Sequence, residues 1–463
     1  MDNEISHHQL LRSRLPETVA LNQLLIFARL PKAGANKTRL IPALGAQNAT
    51  LVYRQLVDRT LSQARQLANE RGCQATVCYT GGSACEIRAA FGDDLTYSEQ
   101  VGHSLGDRLQ LATKSAFEAG AQRVVVIGTD CPSLTSSDLR TAFEQLEAHD
   151  IVIGPAQDGG YYLIGLNAER APLFADIDWS TSQVLEQTLQ KTRKLGLRVH
   201  QLRMLPDVDY PEDLLPLRRG ADCHLLPFQT AAGKLSVIIP TLNEEMNLQL
   251  ALDSVGSPSD NLEVIVVDAG SSDHTVEIAL RHGCKVFVGN PGRANQMNAG
   301  AAIATGAHLL FLHADTRLPT DYHLEVERVL ATPVVCGAFP LQIDAPGLAL
   351  RMVESGVAFR SRLQQMPYGD QALFFRSVDF YAQNGFKRIS IMEDYELVAR
   401  MRKSGSISLA SKPVKTSARR WIKRGILRTT ILNQMCLIAY RLGFSDQTIA
   451  RLYRGEPQKQ NLK

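Results

Sequence analysis

Twice along the chain, short apolar runs alternate with longer stretches whose apolar residues recur at helical spacing. In the first half the runs are LLIFAR (24–29), ATVCYT (75–80), RVVVIGTD (123–130) and DIVIGPA (150–156). In the second half they are LSVIIPTL (235–242), LEVIVVDAG (262–270), CKVFVGN (284–290) and HLLFLHAD (308–315). Strands separated by helices pair in parallel through crossovers, so the pattern predicts an α/β fold with largely parallel sheets. The intervening TLVYRQLVDRTLSQARQLANERG reads as a helix stopped at Gly72. A chain of 463 residues is too long for one ordinary core and suggests two domains. The aperiodic stretch near 220–233 is the candidate linker. It divides a domain at 22–219 from one at 234–424, with an extension at 1–21 and a tail at 425–463. The halves share no sequence repeat; what recurs is the architecture.

Composition narrows the class. Hydrophobic residues make up 44% and charged residues 21%, values of a globular rather than a disordered chain. A formal net charge of +3 argues for no particular partner, but from Ser411 onward about a dozen Lys and Arg face two acidic residues. These basic residues are not interleaved with aromatic stacking platforms, which argues against nucleic acid. The eight cysteines are scattered with no CxxC pair and fit a reducing cytoplasm. MDNEISHHQLLRSRLPE lacks a signal-peptide core, and no run is long enough to cross a bilayer, so the expectation is neither secretion nor a membrane span. The apolar stretch between Arg428 and Arg441 suits either a basic-flanked helix at a membrane surface or a helix packed on its own domain.

Each half places an aspartate at the end of a later apolar run, Asp130 and Asp315, where open α/β sheets bind ligands. In the second half PTLNEE (240–245), VVDAGSSDHT (266–275) and HADT (313–316) bring Pro240, Asn243, Glu244, Asp268, Asp273 and Asp315 to three strand ends. A single acidic turn residue is most often a cap, and Ser271, Ser272 and Asp273 read as one. Three acidic strand ends in succession repel unless a cation or hydrogen-bond donors compensate them. Arg293, in the Gly-rich NPGRANQMNAG, is either a phosphate contact or a solvated loop residue. In the first half FARLPKAGANKTRL places Lys32, Gly34, Lys37 and Arg39 at a loop-to-helix junction suited to phosphate, without the spacing of a P-loop.

The second-half motifs, together with YGDQALFFR (368–376) and IMEDYEL (391–397), resemble the family-2-type inverting glycosyltransferases over Leu235–Arg420. The resemblance implies a GT-A-like nucleotide-sugar fold, with the PTLNEE strand end and Asp268 holding base and ribose. Asp315 would hold Mg²⁺ or Mn²⁺ on the diphosphate. His313 stands where the family has a second aspartate, as a ligand or a structural residue. By family position Asp394 is the base, beside Glu393, with Asp370 orienting a hydroxyl- or acid-bearing acceptor; the competing reading is that Glu393 and Asp394 cap a helix. Asn298 would join the donor site, and the basic/Trp element of Arg419, Arg420 and Trp421 would close over the diphosphate. The first half, with GTDCPSL (128–134), PAQDGGYYLIGL (155–166) and DVDYPEDL (207–214), resembles nucleotidyltransferase-like and glycosyltransferase-like domains. That implies metal ligands at Asp130 and Asp209 and a further site carboxylate at Asp158. Together the two halves resemble a pair of glycosyltransferases named for arsenosugar biosynthesis, and the second is also similar to enzymes acting on carotenoid acids at membranes.

Overall fold

The computed structural model describes residues 21–69 and 73–454; the stop expected at Gly72, most of the extension at 1–21 and the end of the tail lie outside them. The chain divides into two units, one of 1–37 with 49–209 and one of 38–48 with 210–463. The stretch at 220–233 belongs to the second unit, with a 3₁₀ turn at Gly220–Leu225 and the opening residues of a strand.

The first unit is built on β1 (Asn22–Arg29), β2 (Cys73–Thr80), β3 (Thr96–Glu99), β4 (Arg123–Ile127), β5 (Ile151–Pro155), β6 (Tyr161–Leu166) and β7 (Val199–Gln201). They lie in the order β3-β2-β1-β4-β6-β5-β7, and only β6 runs antiparallel to its neighbours. The second unit carries β8 (Ala231–Thr241), β9 (Leu262–Asp268), β10 (Lys285–Val288), β11 (Gly306–Phe311), β12 (Thr316–Arg317), β13 (Val334–Ala338), β14 (Leu341–Asp344), β15 (Phe374–Arg376), β16 (Ser406–Leu409) and β17 (Val414–Ser417). Its main sheet has the order β10-β9-β8-β11-β15-β13-β16, with β15 as the single antiparallel member. Ranked by chain position, both sheets read 3-2-1-4-6-5-7. A small sheet, β12-β17-β14, accompanies the second.

The central strands read apolar throughout because helices cover both faces. Ile151–Pro155 is buried at every position, as is Ile265–Asp268 at the end of β9. Three helices of the first unit start at reciprocal capping boxes, Ser83 with Glu86, Ser104 with Asp107 and Thr135 with Asp138, which satisfy otherwise orphaned N–H groups. In both sheets the strand order reverses beside the first and fourth strands, and there the carboxyl ends of neighbouring strands open a crevice. The two aspartates expected at strand ends lie beyond them: β4 stops at Ile127 before Asp130, and β11 at Phe311 before Asp315. The apolar run outlasts the strand because Leu312 and Ala314 remain buried in the loop.

Candidate functional site

In the second unit the ends of β8 and β9 are laced together before any ligand is considered. Asp268, the last residue of β9, is almost fully buried. Its Oδ1 accepts from the Thr241 and Ser271 hydroxyls, and its Oδ2 from the N–H groups of Gly270 and Ser271. With four donors around it, this carboxylate shapes the strand end. Asp273 is likewise spent locally, on the N–H and hydroxyl of Thr275 and the N–H of Glu245, in keeping with a capping role. Asn243 adopts a left-handed backbone (φ 54°), and its side-chain oxygen accepts from the Ser272 N–H at 2.9 Å. Pro240 sits one residue before the end of β8. Buried Gln296 donates to the carbonyls of both Thr241 and Val267, a tie that no charge pattern announced.

Asp315 keeps much of its hydrogen-bonding capacity. Its side chain is 22% exposed, and its nearest cation is the Arg419 guanidinium at 3.5 Å. Arg419 also donates to both carboxylate oxygens of Glu244 at 2.7 Å, so one arginine joins the β8 end to Asp315. Of the expected basic element, Arg419 is therefore the member that reaches these carboxylates. Arg420 is exposed, and its charge acts on His313 and Asp370. Trp421 is buried in the core of the second unit, which corrects its expected place over a diphosphate. The rim is open to solvent, and an indole gains more from burial in the core. Asn298 is corrected similarly: it is buried in the helix Arg293–Ile303, its amide donating to the Phe386 carbonyl and its oxygen accepting from the Phe386 N–H.

The carboxylates expected to do the chemistry do converge. Asp394 lies at the start of the helix Glu393–Ser404, where N-terminal N–H groups favour negative charge. Its Oδ2 accepts from the Gly369 N–H at 2.6 Å and its Oδ1 from the Tyr395 N–H at 2.7 Å, so it is fixed on two sides. Gly369 is close enough that a Cβ there would stand 3.1 Å from both Asp394 Oδ2 and His313 Nε2. Next to it, Asp370 has a buried Oδ1 with no hydrogen-bond partner. Burial pushes this carboxyl up, the Arg360 charge opposes the shift, and Asp394 and Asp315 reinforce it. Buried Glu393 faces Arg293, Oε1 to Nε 3.2 Å. Its carboxyl is also pushed up by burial, against the pull of Arg293. Burial, then the charges of Arg293 and Arg420, hold the His313 imidazole well below its ordinary value, so it is neutral near pH 7. Gln371 fixes the turn: its amide donates to the Phe339 carbonyl and its oxygen accepts from Ser361.

In the first unit three of the residues expected to hold phosphate and metal, Lys37, Asp130 and Asp209, meet at one point. Lys37, with a left-handed backbone, is almost wholly buried, and its ammonium contacts Asp130 at 2.6 Å and Asp209 at 3.0 Å. Burial works against that charge and the two carboxylates outweigh it, holding Lys37 above the ordinary lysine value. Val208 donates its N–H to the Asp130 carbonyl, bringing the Asp209 segment beside β4. Lys32 caps the loop through its backbone N–H to Asn36, and Gly34 takes a positive φ. Asp158 closes its own turn onto the Gly160 N–H. In the second unit the Arg39 guanidinium lies 5.0 Å over the Tyr210 ring. Among the described residues, no group of three or more His, Cys, Asp or Glu is arranged to hold a metal ion. At Asp130 and Asp209 the lysine already compensates both carboxylates. At Asp315 the loose arginine contact leaves room for a cation whose other ligands are water and a diphosphate.

Residues 236–383 match glycosyl transferase family 2, and residues 61–181 match a family described as uncharacterized proteins conserved in bacteria, DUF2064. A Drosophila melanogaster dolichyl-phosphate beta-glucosyltransferase is 38% identical over 113 residues, 20% of this chain and 35% of that protein. A Staphylococcus haemolyticus 4,4'-diaponeurosporenoate glycosyltransferase is 37% identical over 99 residues, 20% of this chain and 26% of the relative. The chain thus spans only about a quarter to a third of the length of these curated relatives. A solved Desulfovibrio desulfuricans G20 protein, assigned by its description to the nucleotide-diphospho-sugar transferases, is 32% identical, covering 44% of this chain and 94% of that one, with a TM-score of 0.42. The chain thus joins a DUF2064 region in its N-terminal half to a glycosyl transferase family 2 domain in its C-terminal half.

Proposed function

We propose that the C-terminal domain transfers a sugar from a nucleotide-diphosphate donor to a hydroxyl- or acid-bearing acceptor, small or lipid-like, with inversion at the anomeric carbon. The observation that carries this reading is the Asp394 carboxylate, held by the Gly369 and Tyr395 N–H groups beside Asp370 and across from Asp315 and its arginines. The acceptor oxygen attacks the anomeric carbon while Asp394 takes its proton. The bond from that carbon to the diphosphate oxygen breaks, and the nucleoside diphosphate leaves. Asp370 orients the acceptor, and Arg293, Arg419 and Arg420 place positive charge where the leaving diphosphate gains negative charge. Asp315 would hold Mg²⁺ or Mn²⁺, which supplies further charge stabilisation to the leaving group. Asn243, Glu244 and the loop shaped by Asp268 and Asp273 would receive the nucleoside. Release of nucleoside diphosphate from a donor panel tests the reading. Folded Asp394→Asn and Asp315→Asn proteins should lose transfer by roughly a hundredfold or more; full turnover in both would refute the assignment.

For the N-terminal domain, we propose that it makes or binds the activated sugar nucleotide, with Lys37 and Lys32 facing its phosphates and Asp130, Asp209 and Asp158 as site carboxylates. Fusion would raise the effective concentration of donor at the second site. A second reading, a non-catalytic nucleotide-binding or docking module, is favoured by the Lys37 bridge that occupies both Asp130 and Asp209. Asp130→Ala discriminates them: unchanged turnover of the whole chain would favour docking. The likeness to arsenosugar enzymes, and the carotenoid-acid relative, support a specialised-metabolite acceptor. We place the enzyme in the cytoplasm, with peripheral contact at the inner face of the membrane through its basic tail.

A further inference from the structure

Two helices of the second unit leave apolar stripes uncovered. In Leu348–Leu363 the stripe is Leu348, Met352, Phe359 and Leu363; in Ile426–Arg441 it is Leu427, Ile431, Met435 and Ile438, continued by Leu442 just beyond. Every one of these side chains is between 47% and 85% exposed. Both stripes follow one rule, positions i, i+4, i+11 and i+15, which keeps them on a single helix face. The opposite faces are used: Leu350, Val353 and Val357 of the first helix pack into the core, and the second buries Thr429 and Cys436. The two helices touch each other.

We infer that these helices form one platform that seats the protein on an anionic bilayer surface. Charge is the first argument for that occupant. From Ala418 to Leu442 the chain has six Lys or Arg and no acidic residue, and Lys423, Arg428 and Arg441 are exposed. Along Leu348–Leu363 the one acid, Glu354, is engaged by the Ile343 N–H and lies 2.9 Å from Arg351, leaving Arg362 as the exposed charge. Apolar side chains flanked by basic residues fit the boundary between acyl chains and acidic headgroups. Neither helix is long and apolar enough to cross a membrane.

The second argument is continuity with the carboxylate site. From one helix, Ser361 donates to Gln371, next to Asp370, and Arg360 lies 3.4 Å over the ring of Tyr368. From the other, Arg441 donates to the Tyr395 hydroxyl, and the Tyr440 ring packs 5.6 Å from that of Tyr395, which follows Asp394. The same two helices that present the stripes thus brace both sides of the acceptor carboxylates. Seating them on lipid sets that site at the headgroup layer, within reach of an acceptor anchored by an apolar chain. This extension rests on the transferase reading; the seating itself does not, and its test uses no sugar donor.

The test is co-sedimentation of the full chain with vesicles of phosphatidylcholine alone and of phosphatidylcholine mixed with phosphatidylglycerol, at low and high salt. Binding is expected only to the anionic vesicles and should weaken with salt. Met352→Ser with Phe359→Ser, and separately Leu427→Ser with Ile431→Ser, should each lower the partition coefficient by at least about tenfold. All four side chains are exposed, so both proteins should keep the native circular dichroism spectrum. Absence of binding to either vesicle overturns the proposal, as does binding that survives the Met352/Phe359 change. A dimer in solution that these substitutions dissociate, without vesicle binding, would instead make the platform a contact between copies of this chain.

Discussion

Gly369→Ala is a minimal change with a calculable consequence. The added methyl carbon would stand 3.1 Å from Asp394 Oδ2 and from His313 Nε2, and 3.4 Å from Asp394 Cβ. Ordinary contacts to carbon begin near about 3.5 Å, so something must yield by a few tenths of an ångström. The carboxylate cannot yield freely, because its two hydrogen bonds of 2.6 and 2.7 Å hold it from opposite sides. His313 is half-buried, and its Nε2 faces the same added methyl. Overpacking of this kind costs about 2 kcal/mol, which for a unit of this size lowers Tm by roughly 4–8 °C. A displacement of several tenths of an ångström in the base should lower kcat roughly tenfold, with KM for the donor little changed. Nucleoside diphosphate release and a thermal melt on the same preparation read both quantities. Gly356→Ala sets the stability scale: it is helical, has open space around its Cβ, and should be stabilised by about 0.5–1 kcal/mol. Wild-type kcat and Tm in the Gly369→Ala protein would show that the carboxylate is not held as described.

Three further outcomes follow from the charge placements. Lys37→Met removes the shared counter-charge of Asp130 and Asp209, which are 49% and 31% exposed; solvent softens the loss to about 2 kcal/mol, read as a lower Tm near pH 7. Because Lys37 is held above its ordinary value, its contribution is full below the unfolded lysine pKa and fades only as pH rises through the folded one. For Asp370 the sign is the same, in a lower pH window. The folded carboxyl keeps its proton to higher pH than the unfolded one, so stability falls as pH rises from the ordinary aspartate value through the raised one. Asp370→Asn should flatten that segment of a denaturation-versus-pH curve measured in EDTA, while transfer falls; a curve parallel to wild type would refute the burial argument. Arg419→Met should weaken donor binding in a titration without altering the far-ultraviolet spectrum, since the guanidinium lies at the rim.

Much of the scaffold was legible because buried parallel strands announce themselves as apolar runs, and all eight expected runs contain strands. Most of the remainder were short or poorly apolar: β3 is TYSE, almost all solvent-facing, and β12 has two residues, whereas β6, YYLIGL, is apolar and buried and was passed over. The acidic motifs drew notice to Asp315, Asp370, Glu393 and Asp394, which the structure places near one another, since charge at a strand end or helix start is conspicuous. What charge could not disclose was which oxygen is already spoken for. Asp268 and Asp273 carry the same motif weight as Asp315, yet their loops consume them. Nor does a run such as Arg419-Arg420-Trp421 state which member faces the rim, because a one-residue rotation of a helix decides it. The ties made by Gln296, Gln371 and Gly369 stayed unread for a simpler reason: although they lie in motifs that stand out, neutral residues leave no electrostatic trace.

The two units answer the same problem with the same device. Each has an aspartate just past its fourth strand, and each supplies that aspartate with a cation from its own chain, Lys37 in one and Arg419 in the other. A tethered cation is a competitor present at high effective concentration. An incoming cation must displace it, and its apparent affinity falls by the strength of the contact it replaces. The 2.6 Å lysine bridge is therefore a stiff lock and the 3.5 Å arginine contact a loose one. Should each aspartate take a metal ion, as proposed, the length of one internal ion pair would set how readily that ion enters.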